Sequence, residues 1–180
     1  MRLREEELQK ALLNQDSRSK AFEQVVNDYS PQIYSLIRKM VLNHDDADDI
    51  IQEVYIKAWT SLDSFRGDSK ISTWLYRISY NECLQFLQKK KKIISLDSEE
   101  CSIVNQLMSD DYFDGDETEA QLQEAIQSLP EKQRFVFNLK YYQELKYEEI
   151  SEICGTTIGA LKTSYHFAVK KIEDFFNSHN

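Results

Sequence analysis

Between residues 71 and 92 the sequence sets aromatic rings, amides and cations side by side. Thr73, Tyr76, Arg77, Tyr80, Asn81, Leu84 and Gln85 lie off the apolar stripe of one helical repeat, and Lys89-Lys90-Lys91-Lys92 follows it. Groups of this kind can hold an unpaired nucleic-acid strand, because rings stack on free base faces while lysines follow the phosphates. A tyrosine-rich bundle helix with a solvated lysine tail has the same composition, so both readings stand. The loop just upstream, SLDSFRGDSK over residues 61–70, carries two side chains able to stack or clamp, Phe65 and Arg66.

Two further surfaces carry possible chemistry. Over residues 45–62 one face of a helical repeat shows Asp46, Asp48, Asp49, Gln52, Glu53 and Lys57. Acids near a helix N-terminus are favoured by the helix dipole and can be a solvated face. They could equally dock a basic partner protein. Near the C-terminus, Thr156, Thr157, Gly159, Ala160, Lys162, Thr163, His166 and Lys170 fall on the outward side of a last helix, where a helix entering a major groove presents its reading face.

Helices must position all three surfaces. Ala47, Ile50, Ile51, Val54, Tyr55, Ala58, Trp59 and Leu62 form a stripe at spacings of three and four, with Asp45 as a suitable N-cap. Ile71, Trp74, Leu75, Ile78 and Phe86 give the next helix its core side. Upstream, Phe22, Val25, Val26 and Tyr29 end at Ser30-Pro31, a cap-and-proline pair that predicts a fresh helix carrying Ile33, Tyr34, Ile37, Met40 and Val41. Residues 1–20 read as a leading helix or a frayed arm. Leu122, Ala125, Ile126 and Leu129 open the last block near Ala120, and Pro130 begins a helix with Phe135, Val136, Leu139 and Tyr142. Then Leu145, Ile150 and Ile153 stop at Cys154-Gly155-Thr156, and Ile158, Leu161, Tyr165, Ala168 and Ile172 resume at once. Gly155 can take a left-handed C-cap, and Thr156 or Thr157 can cap the following helix. This is a helix-turn-helix pattern, although two packed core helices of a small bundle would also satisfy it.

Only four Gly and two Pro occur in 180 residues, which with the helical periodicity predicts an all-α protein. The net charge of −9 is local: residues 93–120 hold nine acids and no base. That segment, rich also in Ser and Asp, reads as an acidic linker of about 30 Å root-mean-square span. The expected organisation is therefore two small helical domains, residues 1–92 and 121–180, joined by the linker 93–120. Three scattered cysteines without CxxC spacing suggest neither a disulfide framework nor a zinc site. No apolar run approaches the length of a membrane span, and the N-terminus lacks a signal-peptide core. A cytoplasmic protein without cofactor, metal or membrane insertion is expected.

Three segments occur in order: DDADDIIQEVYIKAW, FRGDSKISTWLYRISYN with its basic tail, and LPEKQRFVFNLKYYQELKYEEISEICGTTIGALKTSYHFAVKKI. Together they resemble a small alternative sigma factor of RNA polymerase, of the extracytoplasmic-function group (group IV), over about residues 20–175. The resemblance implies that Asp48, Asp49, Gln52 and Glu53 grip the polymerase β′ subunit and that core RNA polymerase, through its β′ and β subunits, is the partner. It implies that Phe65, Arg66, Lys70, Thr73, Tyr76, Arg77, Tyr80, Asn81, Lys89 and Lys90 capture the unpaired −10 strand. It further implies that the helix-turn-helix reads the −35 element as duplex, that the acidic linker threads polymerase channels, and that an anti-sigma factor is a separate protein. Family members often carry arginines on the last helix, whereas Ala160-Leu161-Lys162-Thr163-Ser164-Tyr165-His166 has none, so guanine readout is not expected.

The expected activity is binding and strand capture rather than catalysis. The sequence has no P-loop and no HExxH, and His44, His166 and His179 have no evident nucleophile or metal partner. A dimeric DNA-binding regulator and a helical adaptor are the competing readings.

Overall fold

The computed structural model describes residues 1–94 and 102–180. Among the described residues the regular structure is helical throughout: α1 (Glu5–Leu13), α2 (Arg18–Val41), α3 (His44–Thr60), α4 (Ile71–Ile94), α5 (Ile103–Met108), α6 (Glu117–Gln127), α7 (Glu131–Tyr141), α8 (Tyr147–Cys154) and α9 (Ile158–Ser178), with a 3-10 turn at Leu62–Ser64.

The first core lies between α2, α3 and α4, where Ile33, Ile37, Val54 and Leu75 are fully buried. Residues 1–20 are no frayed arm: α1 buries Leu8 and Leu12 against this core, and its Glu5 carboxylate accepts the Ile71 backbone N–H at 2.8 Å. Glu5 thereby satisfies one of the donors that the start of α4 leaves open.

Two predicted boundaries shift. Helix α2 runs unbroken through Pro31, without a new start at Ser30. Proline costs a helix the hydrogen bond its missing N–H would make. Here Ser30 sits inside the helix, its hydroxyl bonded to the Val26 carbonyl at 2.5 Å and paired with the Tyr55 hydroxyl at 2.9 Å, and burial of Ile33, Leu36 and Ile37 outweighs the loss. The cap of α3 is Asn43, whose side chain accepts from the Asp46 N–H at 3.0 Å, so Asp45 falls in the first turn.

Nor is the described part of residues 93–120 free of packing. Leu107 of α5 is buried, Asp110 pairs with Arg38 near the end of α2, and the Tyr112 ring stacks on His44 with centroids 3.6 Å apart. The acidic segment is strapped to the α2–α3 corner because Arg38 offers it a half-buried cation. Residues 95–101, with the predicted linker positions Leu96 and Cys101, lie outside the described residues.

The C-terminal helices add a small core of Ala125, Ile126, Leu129, Phe137, Ala168 and Ile172. Their other side, with Phe135, Val136, Leu139, Ile150, Ile153 and Leu161, joins the core of α1–α4. Arg134 of α7 is 7% exposed and donates to the carbonyls of Met40, Gln127 and Leu129 at 2.9, 2.9 and 3.2 Å. Gln127 donates to the Lys39 carbonyl at 2.8 Å. The carbonyls that the end of α2 leaves open, and the negative end of its dipole, are thus met by the C-terminal half.

Candidate nucleic-acid interface

On α3, Asp48, Asp49, Gln52 and Glu53 are all exposed, and among the described residues no hydrogen bond or ion pair engages their side chains. The same helix exposes Ile56 by 55% and Trp59 by 43%, the latter held edge-on by Phe22 at 5.2 Å. Trp59 had been predicted in the core stripe; at the end of α3 the stripe drifts off the buried side, so the surface combines carboxylates with apolar groups. Asp49 and Glu53 share a groove with Lys89 of α4, and Asp46 accepts from Lys90 at 2.8 Å. One of the predicted strand-binding lysines is therefore already paired.

Loop residues 61–70 are held from both ends. Arg18 pairs with Asp63 at 2.8 Å, and Gln9 of α1 donates to the Ser69 carbonyl at 3.0 Å. Gly67 takes φ +75°, a conformation that glycine adopts without strain. Phe65, expected to stack on a ligand, is only 5% exposed and packs on Trp74 with centroids 4.6 Å apart. Those two rings line a cavity of about 290 Å³ whose other walls include Arg66, Asp68, Arg77 and Asn81. An aromatic wall with guanidinium and amide groups beside it suits a flat, hydrogen-bonding heterocycle, in a cavity near the small end of ligand pockets.

The rest of the predicted strand face on α4 is covered in part: Thr73 and Tyr76 are buried and Tyr80 half-buried, whereas Arg77, Asn81 and Lys89 remain exposed. Thr73 and Tyr76 are 4% and 3% exposed, on a helix that α7 and α8 both contact. The Tyr76 hydroxyl donates to Gln143 at 2.9 Å. Arg77 donates through Nε and Nη2 to the Glu152 carbonyl at 3.2 and 3.0 Å. Lys70 pairs with Glu149 at 3.1 Å, and the Tyr80 ring meets Phe135 edge-on at 4.8 Å. Burial, with the Glu149 carboxylate adding, pushes the Tyr76 hydroxyl up to about 12. The Lys146 backbone N–H is the main reason the Glu149 carboxyl lies below its ordinary value, with Lys70 helping. Cys154 of α8 is half-buried, and burial raises its thiol to about 12, so it stays protonated at neutral pH.

The second face lies open. Gly155 ends α8 at φ +66°, and Thr157 caps α9 by accepting from the Ala160 N–H at 3.3 Å. Thr157, Gly159, Ala160, Lys162, Thr163, His166 and Lys170 are exposed, whereas Thr156 is half-buried in the turn. Lys162 leans toward the Tyr147 ring of α8, its Nζ 5.9 Å from the centroid. Beside these residues stands Phe167, 50% exposed, which the apolar periodicity had not singled out. Its signal in the sequence was a phenylalanine next to His166, off the buried stripe.

Among the described residues no three His, Cys, Asp or Glu side chains are grouped to hold a metal ion, and no helix is long and apolar enough to cross a membrane.

Two family models match the chain: sigma-70 region 2 over residues 25–93, and sigma-70 region 4 over residues 119–172. The chain is 37% identical over 156 residues to the ECF RNA polymerase sigma factor SigW of Bacillus subtilis, covering 81% of this chain and 83% of that relative. It is 34% identical over 145 residues to the RNA polymerase sigma factor SigV of the same organism, covering 81% and 84%. Two solved structures share the fold, each with a TM-score of 0.71. One is the sigma factor RpoE in complex with the anti-sigma factor NepR from Bartonella quintana, 24% identical, covering 88% of this chain and 98% of that one. The other is CnrH in complex with the cytosolic domain of CnrY, 18% identical, covering 96% of each chain.

Proposed function

Because the chain belongs to the extracytoplasmic-function (ECF) sigma factors of RNA polymerase, we propose that it works as a promoter-specificity subunit with its tasks divided along the chain. The ordered presence of region 2 and region 4 in one chain carries this reading. It acts through binding, in the cytoplasm where the polymerase works, and not through covalent chemistry.

In this reading residues 1–92 dock and capture, residues 93–120 connect, and residues 121–180 read duplex. Asp48, Asp49, Gln52 and Glu53 meet a basic surface of the β′ subunit, a role favoured by their exposure and lack of partners. The unpaired strand of the −10 element runs along α4, with one base in the cavity between Arg66, Trp74 and Asn81 and phosphates against Lys70, Arg77, Lys89 and Lys90. The −35 duplex lies against Lys162, Thr163, His166 and Lys170 of α9, with the C-terminal half resting on the β subunit. Tyr76, Arg77 and Lys70 are engaged by α8, so strand capture requires the halves to part. A separate anti-sigma protein holds the chain inactive between signals; RpoE, a relative in fold, occurs in complex with such a factor.

Mixing the purified chain with sigma-free core polymerase tests the proposal. Co-elution and initiation from defined start sites are expected. Tight binding of a palindrome by a polymerase-free dimer would overturn it.

A further inference from the structure

The outward side of α9 is divided lengthwise by chemistry. At 100° per residue, Lys162 and His166 fall on one edge, Thr163 and Lys170 near the middle, and Ala160 and Phe167 on the other edge. Ala160, Thr163 and Phe167 stand at i, i+3 and i+7, so they form one continuous strip. Thr163 donates its hydroxyl to the Gly159 carbonyl at 3.1 Å, which occupies the proton within the helix and leaves the methyl group to meet a ligand. Phe167 is 50% exposed, and its ring meets that of His166 at 5.7 Å and 63°. A phenyl ring left half in water adds little to folding. No arginine occurs anywhere on α9.

A helix in a major groove meets hydrogen-bonding base edges and one apolar group, the C5 methyl of thymine. Alanine, the threonine methyl and phenylalanine are the side chains that match that methyl, while the arginine fork that fits guanine is missing. We infer that α9 reads thymine methyl groups through Ala160, Thr163 and Phe167, and that Phe167 is the principal specificity-determining residue of the duplex contact. Lys162 and Lys170, both on the polar side of that strip, hold phosphates and carry no sequence information. This inference rests on the reading of α9 as the duplex-binding helix.

The test replaces thymine by deoxyuridine, which removes the methyl and keeps every hydrogen bond. Holoenzyme formed from the full chain and core polymerase selects duplexes from a promoter library randomised over the −35 region. The selected duplex is then remade with deoxyuridine at each thymine in turn. At one or more positions, binding should weaken about fourfold for each methyl lost. Holoenzyme carrying Phe167→Ala should bind the thymine duplex more weakly and no longer distinguish it from the deoxyuridine duplex; Phe167→Leu should keep part of the discrimination. Selection without any deoxyuridine effect, or undiminished discrimination by Phe167→Ala, would overturn the inference and leave promoter reading intact. Failure of the library to enrich any −35 sequence would overturn the duplex reading itself, and this inference with it.

Discussion

The two candidate nucleic-acid faces differ most in what covers them. On α4, Tyr76 is 3% exposed and bonded to Gln143, and Arg77 is tied to the Glu152 carbonyl. On α9, Lys162, Thr163, His166 and Phe167 meet solvent. In the proposed function the α4 face takes the single strand of an opened promoter and the α9 face takes duplex. On that proposal, partial cover of the α4 face would keep Tyr76 from stacking on unpaired nucleic acid away from the promoter.

In the proposed function the cover must come off, and its contacts set the cost. Its ion pairs, Lys70–Glu149 and Lys91–Glu131, have an exposed partner each and are worth at most about 1 kcal/mol apiece. The apolar part is different, since Phe135, Leu139, Ile150 and Ile153 are buried in a core shared with α1–α4. Separating the halves wets that surface, so the free chain should remain closed until polymerase binding supplies the difference.

The largest effect is expected where the account depends on a single surface. Asp49→Lys with Glu53→Lys should weaken binding to core polymerase by more than about 100-fold, because like charges set against a complementary surface cost several kcal/mol. Both side chains are exposed and unpaired, so the helical circular dichroism should not change. Normal co-elution would move the docking face elsewhere.

Phe135→Ala probes the shared core. Phe135 is fully buried beneath Tyr80, and its loss should cost about 3–5 kcal/mol in urea unfolding. Wild-type chain should unfold in one transition; two separated transitions, with only the second shifted by the substitution, would mean that the halves are not one cooperative unit.

On the open face, Lys162→Ala with His166→Ala should weaken holoenzyme binding to −35 duplex about tenfold and lower its salt dependence. Unchanged binding would move the reading face. On the covered face, Glu131→Lys with Gln143→Lys sets a cation against Lys91 and removes the acceptor of the Tyr76 hydroxyl, and should loosen the roof. The free variant should bind a fluorescent single-stranded oligonucleotide about fivefold better than wild type. Glu173→Lys with Asp174→Lys, which adds more positive charge on an exposed stretch of α9, should not. Equal gains in both variants would reduce the effect to net charge.

Much of this was legible in the sequence, and the rest failed for identifiable reasons. Cys154-Gly155-Thr156 marked the turn because a left-handed cap and a hydroxyl N-cap are local requirements that few residue types meet. Local signals misled where tertiary contact prevailed. Ser30-Pro31 has the form of a helix start, yet the core carries α2 through it. For the α4 residues off the core stripe the sequence leaves a strand-binding platform and a bundle helix equally open, because periodicity reports which residues face a neighbour within one domain and cannot say that a second domain covers part of the other side. The acidic segment reads as unpacked because its composition is polar, while its anchors Asp110 and Tyr112 answer Arg38 and His44, about 70 residues away. Phe167 escaped notice because an exposed phenylalanine has no periodic signature.

The most direct test is the distance between the halves with and without polymerase. Dyes attached at Lys20→Cys and Glu173→Cys, in a Cys101→Ser/Cys154→Ser background, report it by energy transfer. High transfer in the free chain, falling when core polymerase is added, is the expected result. Transfer that stays unchanged in a complex able to initiate transcription would contradict it, because α4 would then be capturing its strand with the α8 roof still in place.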